Sequence, residues 1–297
     1  MRRLGVLILW LLWRLLPTPA LGRLGEALGV LLHALVPSRR RIGATNLALC
    51  FPEMSEPERA ALLKAHFRAM GRASLLDTIS WWGSREDVER LTRIEGEEHY
   101  LAQVRAGRPV IWLAPHFVGL NIGGVRVTAA FSPLVSLYSR IRNPHLDRLM
   151  LHCRTRFAAP DRPNEMYSRH DGIKPVLKAM RRGLPFYYLP DLDFGRKDAL
   201  FVPFFGVPAA TISGLPRLAK AVGAVVVPCI TRRDGDGYVV RMYPAWEDFP
   251  SGDVEADTRR MNAYIEERIR EMPEQYFWLH KRFKTRPEGE GSLYGRD

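Results

Sequence analysis

The chain has 297 residues, enough for one large domain with a sizeable core. Its formal net charge of +12 suits nucleic acid, an anionic membrane or an acidic substrate as a partner. No zinc finger or RNA-recognition motif supports nucleic acid. The cysteines, Cys50, Cys153 and Cys229, are odd in number and far apart, which argues against a disulfide framework or a cysteine metal cluster and favours a reducing compartment.

Two apolar segments begin the chain. Residues 4–13 are an unbroken apolar run, and Leu24, Leu28, Leu31 and Leu35 recur at helical spacing. The first run is shorter than the roughly 20 apolar residues of a clean membrane span. A secretory signal, a tilted span and a helix lying in the membrane interface remain as alternatives.

Membrane anchoring is the interpretation that we favour for this region. Trp10, Trp13 and Arg14 are unusual in the core of a signal peptide, and the basic cluster at residues 39–41 attracts anionic lipid. We therefore expect residues 1–37 to form a membrane anchor and residues 38–297 to form one domain. By the positive-inside rule, that domain lies on the cytoplasmic face.

The next elements are helical. Ser55, Pro57 and Glu58 form a capping box with proline in the first turn, which predicts a helix from residue 56 to about residue 79. A second helix is predicted over residues 97–105. It leads through Gly107 into the central apolar segment of the chain.

A strand, a histidine and a helix make up this central segment. Residues 110–114 read as a buried strand that Pro115 ends, and a helical pattern runs from about residue 117 to residue 130. His116 is thus predicted at the carboxyl end of a strand, which is the edge where open α/β sheets bind ligands. A histidine there is suited to act as a general base near neutral pH, although a lone histidine is more often structural.

The later elements continue the alternation of strands and helices. Strands are predicted at residues 134–138, 184–189, 224–227 and 238–243, and helices at residues 169–183, 211–222 and 257–272. This order predicts an α/β fold in which helices flank a central, mostly parallel sheet.

Polar and aromatic motifs follow these elements. Asp191 and Asp193 come directly after a predicted strand and are suited to orient substrate hydroxyls; with no nearby His or Cys cluster, we expect no metal site. Residues 201–205 are rich in Phe and fit either an acyl groove or core packing. Residues 275–287 interleave cations with aromatics, as in stacking on single-stranded nucleic acid.

Several ordered blocks together resemble the late acyltransferases of lipid A biosynthesis, a branch of the glycerolipid acyltransferases. The blocks are His116 with the position five residues on (H-x4-D/E), residues 39–59, residues 138–144, residues 190–211 and residues 275–287. In this setting the last block would face membrane and anionic lipid, and nucleic acid is not a partner.

The resemblance implies a fold, a reaction and partners. The fold is that of a glycerolipid acyltransferase with a membrane-anchoring helix at the inner membrane. The reaction moves a fatty acyl chain from acyl carrier protein, or from coenzyme A, to a hydroxyl of a lipid A precursor, without a cofactor. Another lipid or glycolipid acceptor and a non-catalytic lipid-binding homologue are the alternatives.

The resemblance also assigns roles to residues. His116 becomes the base that deprotonates the acceptor hydroxyl, and backbone N–H groups at the start of its helix would meet the oxyanion. Arg140 and Arg169 fall near family arginines and become contacts for anionic substrate groups. Asp191 and Asp193 remain substrate-binding candidates.

The chain departs from the family at Asn121, which occupies the acidic position of the H-x4-D/E motif. An acidic side chain there would accept the histidine N–H and stabilise the imidazolium. Asn keeps an acceptor but carries no charge, so we expect Asn121 to occupy the dyad position and limit the rate. On this hypothesis Asn121→Asp raises acyl transfer at least about tenfold. The alternative is that Asp191 or Asp193 supplies the charge.

Overall fold

The computed structural model describes residues 2–141 and 143–295, and Arg142 lies outside the described residues. The helices are α1 (Arg2–Leu15), α2 (Thr18–Leu35), α3 (Pro37–Cys50), α4 (Glu56–Trp82), α5 (Arg85–Leu91), α6 (Glu97–Arg105), α7 (Leu120–Phe131), α8 (Pro144–Thr155), α9 (Lys174–Arg181), α10 (Gly214–Val222) and α11 (Val254–Glu271). The strands are β1 (Thr92–Glu95), β2 (Val110–Leu113), β3 (Val135–Tyr138), β4 (Glu165–Ser168), β5 (Phe186–Tyr188), β6 (Ala199–Phe204), β7 (Val207–Ile212), β8 (Val225–Asp234) and β9 (Gly237–Met242).

Seven strands form the central sheet, in the order β1-β9-β8-β2-β5-β3-β4. Neighbouring strands are parallel except for the β8–β9 hairpin, and β6 and β7 form a separate antiparallel pair. The predicted α/β class with a mostly parallel sheet is confirmed. Strand β8 does not end at residue 227 as predicted. It continues through Pro228, which pairs with Leu113, the last residue of β2.

Both faces of the sheet are buried. In β2, Ile111 and Leu113 point into one hydrophobic cluster, whereas Val110 and Trp112 point into another on the opposite face. Side chains alternate between the faces of a strand, so a strand covered on both sides needs apolar residues at every position. This explains the unbroken apolar run that precedes His116.

Helix α2 packs directly on α4 through glycines. A Cβ atom added at Gly71 would lie 2.2 Å from the backbone oxygen of Gly25, and one added at Gly29 would lie 2.1 Å from the oxygen of Phe67. Beside this contact the buried Arg72 guanidinium pairs with Glu26 of α2 at 3.3 Å. The domain boundary at residue 37 therefore stays a prediction, and α2 is tightly packed against the rest of the protein.

The opposite face of α2 and much of α1 carry exposed apolar side chains. They are Leu4, Val6, Leu7, Ile8, Trp10, Leu11, Leu15, Leu28, Leu31, Leu32 and Leu35. Within residues 2–141 and 143–295, no single helix has both the length and the apolar composition needed to cross a membrane. Helices α2 and α3 together reach that length and composition, but they meet at a bend of 93°.

The carboxyl-terminal aromatic and basic tract is part of the core. Tyr276, Trp278 and Phe283 are buried, as is Arg282, whose guanidinium donates to the Ala210 carbonyl and the Thr211 hydroxyl. The prediction that this tract faces membrane lipid is therefore wrong, because three of its aromatic side chains and two of its arginines, Arg282 and Arg286, are covered by protein.

The Phe-rich segment of residues 201–205 is also internal. Phe204 is fully buried in β6 and packs against the Tyr276 and Phe283 rings. Of the two alternatives for residues 201–205, the structure supports core packing.

The α2–α4 contact gives a first prediction. Gly71→Ala should lower the melting temperature, because its new methyl group meets backbone that cannot move aside; overpacking of this kind costs about 1–3 kcal/mol. Gly5→Ala in α1, where nothing lies within 4 Å, is the matched control and should be neutral or stabilising by helix propensity. Equal melting temperatures for the two variants in detergent solution would contradict the close contact.

Candidate active site

His116 and Asp191 meet at the carboxyl edge of the sheet. His116 follows β2 by three residues and Asp191 follows β5 by three, and these parallel strands are neighbours. The His116 backbone N–H donates to Asp191 Oδ2 at 2.8 Å, and the ring Nδ1 lies 2.7 Å from Asp191 Oδ1. One carboxylate thus holds both the backbone and the ring of the histidine.

The Asp191 carboxylate is charged although it is fully buried. Burial by itself raises the pKa of Asp191, but the neighbouring His116 ring and its hydrogen bonds outweigh that effect and lower the pKa below its ordinary value. A carboxylate accepts a hydrogen bond, so we assign the proton of neutral His116 to Nδ1. Nε2 then keeps the lone pair of a general base, and the side chain is 20% exposed.

The carboxyl-terminal tract supports the loop that carries His116. The Phe277 backbone N–H donates to the His116 carbonyl at 3.0 Å, and the Val118 N–H donates to the Gln275 carbonyl at 2.8 Å. These hydrogen bonds place the tract directly behind the histidine, inside the protein, which explains why the tract is buried.

A large cleft opens beside His116. Its volume is about 730 Å³, and its lining includes His116 together with the cations Arg154, Arg169 and Lys197. Asp198 is the carboxylate in this lining. The cleft therefore offers a base and several positive charges to one bound molecule.

A smaller pocket of about 90 Å³ adjoins the cleft. Its lining is mainly apolar, and it shares five residues with the lining of the cleft: Leu120, Leu137, Arg154, Tyr187 and Leu189. The two cavities therefore adjoin along these residues, four of which are apolar or aromatic and one of which is the cation Arg154.

Asn121 lies in the small pocket and does not make the predicted contact with the His116 Nδ1. Its Oδ1 accepts from Arg154 Nε at 3.3 Å, and its amide lies beside the Asp77 carboxyl group. The pairing of Asn121 with His116 is therefore corrected, because Asp191 occupies that place. Position 121 instead lies between Asp77 on α4 and Arg154 on α8.

Burial raises the pKa of Asp77 to about 7, while the Asn121 amide and the Arg154 charge oppose this rise. Asp77 thus supplies a carboxyl group next to the position where the family motif has an acidic side chain. Arg154, Asp77 and Asn121 come from three different helices, so only the fold brings them together.

The Asp193 carboxylate, a predicted substrate contact, is bonded within the protein in this structure. Asp193 is 2% exposed, and its carboxylate accepts hydrogen bonds from Gly195 N–H, Thr285 N–H and the Thr285 hydroxyl. Its own backbone N–H donates to His280 Nε2 at 3.0 Å. Burial, with the charges of Lys284 and Arg282, lowers the pKa of His280 to about 4, so this ring is a neutral acceptor.

The two predicted arginine contacts differ in their position relative to the cleft. Arg169 lines the cleft, and its guanidinium lies 5.9 Å from the centre of the Phe194 ring. Arg140 is exposed at the rim, one residue beyond Ser139, which lines the cleft. Of the backbone N–H groups around the start of this helix, those of residues 116, 117, 118 and 120 already donate within the protein.

Comparison with known proteins identifies the family. The sequence profile described as bacterial lipid A biosynthesis acyltransferase matches residues 3–285. The chain belongs to this family of acyltransferases.

Curated relatives agree over almost the whole chain. The chain is 37% identical to the lipid A biosynthesis lauroyltransferase of Escherichia coli (strain K12) over 294 residues, which cover 98% of this chain and 94% of that protein. It is 34% identical to the palmitoleoyltransferase of the same strain, with 98% and 93% covered. Identity to the myristoyltransferase is 32%, with 94% and 84% covered. The family resemblance drawn from the sequence is confirmed.

The geometry of the pair gives a second prediction. In this acyltransferase Asp191→Asn should lower kcat by about 10²–10⁴-fold, because the charge that stabilises the imidazolium is lost. Asp198→Asn, which removes an exposed carboxylate from the same cleft, should leave kcat nearly unchanged. If Asn121→Asp raises kcat tenfold or more while Asp191→Asn does not lower it, the charge acts from position 121.

The partly buried Asp77 gives a third prediction, on stability. Its folded pKa of about 7 lies above the ordinary 3.8, so between these values the folded protein keeps a proton that the unfolded chain releases. The free energy of unfolding therefore falls as the pH rises through this window. The melting temperature of Asp77→Asn minus that of the wild type should grow from pH 4 to pH 7 and then level off. A difference that is the same at every pH would contradict the raised pKa.

Proposed function

We propose that this protein transfers a fatty acyl chain from an acyl carrier protein thioester to a hydroxyl of a lipid A precursor. The observation that carries the proposal is the His116–Asp191 pair, which opens into a cation-lined cleft with an apolar pocket beside it. This arrangement offers a base for a hydroxyl, positive charge for phosphates and space for a hydrocarbon chain. The names of the family relatives agree with this acceptor.

His116 is the general base of the proposed reaction. Nε2 removes the proton of the acceptor hydroxyl while that oxygen attacks the thioester carbonyl. The charged Asp191 stabilises the imidazolium that forms. When the tetrahedral intermediate collapses, the carbon–sulfur bond breaks and the donor leaves as a thiol after taking the proton. The acyl chain passes directly to the acceptor, so no covalent intermediate with the protein is needed.

Cations of the cleft bind the anionic groups in this scheme. Arg154 is held by Asn121 and lines both cavities, so we assign it to the developing oxyanion in place of the backbone N–H groups. Arg169 contacts a phosphate of the acceptor within the cleft, and Arg140 contacts a more distant one at the rim. A charge-assisted hydrogen bond of this kind contributes about 1.5–3 kcal/mol.

The small pocket receives the end of the transferred acyl chain. Gly124 lines it, and a Cβ atom added there would lie 3.7 Å from the Tyr187 ring, so a larger side chain would fill the space. The size of this pocket then contributes to the choice of acyl chain.

The amino-terminal helices bind the protein to the cytoplasmic face of the inner membrane. The exposed leucines of α1 and α2 enter the lipid interface, and the basic residues 39–41 lie beside the anionic headgroups. Helix α2 is fixed on α4 by the glycine contact, so this anchoring also orients the domain that contains the cleft.

A transfer assay tests the proposal. Purified protein should move acyl chains from acyl carrier protein to a lipid A precursor, and His116→Ala should reduce the rate by at least about 10³-fold. His170→Ala is the matched control, since this exposed histidine lines the same cleft and makes no contact with Asp191. Transfer that survives His116→Ala contradicts the mechanism, and faster transfer from acyl coenzyme A reassigns the donor.

A further inference from the structure

Large exposed apolar side chains form two groups in the described part of the chain, and Val104 on α6 stands apart from both. Most lie on α1 and α2, where they belong to the proposed anchor. Four lie elsewhere: Val104 on α6, Ile141 after β3, Leu146 in the first turn of α8, and Phe194 after β5. Three of these four lie around the mouth of the cleft.

The positions of these three side chains follow from their contacts. Ile141 is two residues beyond Ser139, which lines the cleft, and its backbone N–H donates to Asp147 Oδ1 at 2.8 Å, so it is tied to the start of α8 next to Leu146. Phe194 lines the cleft itself and lies under the Arg169 guanidinium. Their exposed fractions are 40%, 40% and 37%.

Positive charge surrounds these apolar side chains. Arg140 and Arg148 are exposed on the segments of Ile141 and Leu146, Arg169 is exposed over the Phe194 ring, and Lys197 is exposed in the cleft lining. Apolar side chains set among cations are the pattern of a surface that lies in the headgroup region of an anionic bilayer.

The mouth is also continuous with the proposed anchor. Cys153 of α8 is in the same hydrophobic cluster as Leu9, Leu12 and Trp13 of α1, and α4 contributes the centre of that cluster. Helix α8, which begins at the mouth, therefore packs on the same helix as the apolar amino terminus.

We propose that the mouth of the cleft is a second membrane-contact surface, formed by Ile141, Leu146 and Phe194 with Arg140, Arg148 and Arg169. The occupant is a bilayer with anionic headgroups. The acceptor lipid then enters the cleft sideways from the membrane without its acyl chains leaving the lipid. This inference rests on the proposed lipid acceptor, but it concerns a surface outside the His116–Asp191 pair.

Site-specific labelling tests the contact in the full-length protein. The native cysteines are buried, and burial raises the pKa of each thiol, so they react slowly. A cysteine introduced at residue 141, 146 or 194 is therefore labelled selectively with a polarity-sensitive fluorophore. Vesicles of phosphatidylcholine with phosphatidylglycerol should shift the emission of all three probes to the blue, and pure phosphatidylcholine should do so less. A probe at Val104→Cys is the control and should not respond, because α6 leads into the amino end of β2 at the opposite edge of the sheet.

Two outcomes would overturn the inference. One is that the probes at residues 141 and 146 stay unchanged while the protein sediments with the vesicles, so that α1 and α2 alone hold it. The other is that they respond to acyl carrier protein and not to vesicles, which would make the mouth a donor-docking site. Neither measurement depends on acyl transfer. A failure of the proposed function would appear in the transfer assay and not in these probes.

A rate measurement gives the functional consequence. The double variant Ile141→Ser and Leu146→Ser lies outside the cleft lining, so kcat with acceptor dispersed in detergent micelles should not change. The KM for acceptor presented in anionic vesicles should rise about tenfold, equivalent to about 1.4 kcal/mol. An unchanged KM in vesicles would contradict membrane contact by these side chains.

Discussion

The structure of the site depends on the two hydrogen bonds that the Asp191 carboxylate makes with His116. One oxygen holds the backbone N–H of the histidine and the other holds its ring, so the position and the tautomer of the base are set by a single group. This is possible because β2 and β5 are adjacent and parallel, which places the residues after each strand at the same edge of the sheet. This pair is kept in place by the buried sheet, by the loop of residues 190–195 and by the carboxyl-terminal tract.

The acidic position of the family motif acquires a different role in this chain. Asn121 lies between Asp77 and Arg154 and does not hold the histidine, so an acidic side chain at this position would pair with Arg154. With Asn in place, Asp77 is the carboxyl group of the cluster, and its raised pKa reflects the cost of burying it beside a single amide and a nearby arginine. The loss of the motif acid at residue 121 therefore leaves the general base and its partner intact.

Much of the fold was predictable, because apolar runs and helical periodicity record burial directly. The strand before His116 and helices α4, α6 and α11 follow from such patterns. Strands β1 and β4 were missed because they are short and contain polar residues, and strands β6 and β7 were missed because prolines interrupt their apolar pattern. His116 was identified from the motif, and Asp191 was kept as an alternative source of charge. Arg154 and Asp77 were not identified, because no spacing in the sequence records a contact between α4, α7 and α8. The aromatic and basic tract at the carboxyl terminus was misassigned because its composition fits a surface as well as a core.

Mass spectrometry of lipid A from a strain that lacks this gene tests the central claim most directly. If the protein acylates a lipid A precursor, the mutant strain should produce lipid A that lacks one secondary acyl chain, and the mass difference identifies that chain. Expression of the intact gene should restore the missing mass, whereas a gene with His116→Ala should not. Lipid A of unchanged mass in the deletion strain, with another lipid class altered, would contradict the account by moving the activity to a different acceptor.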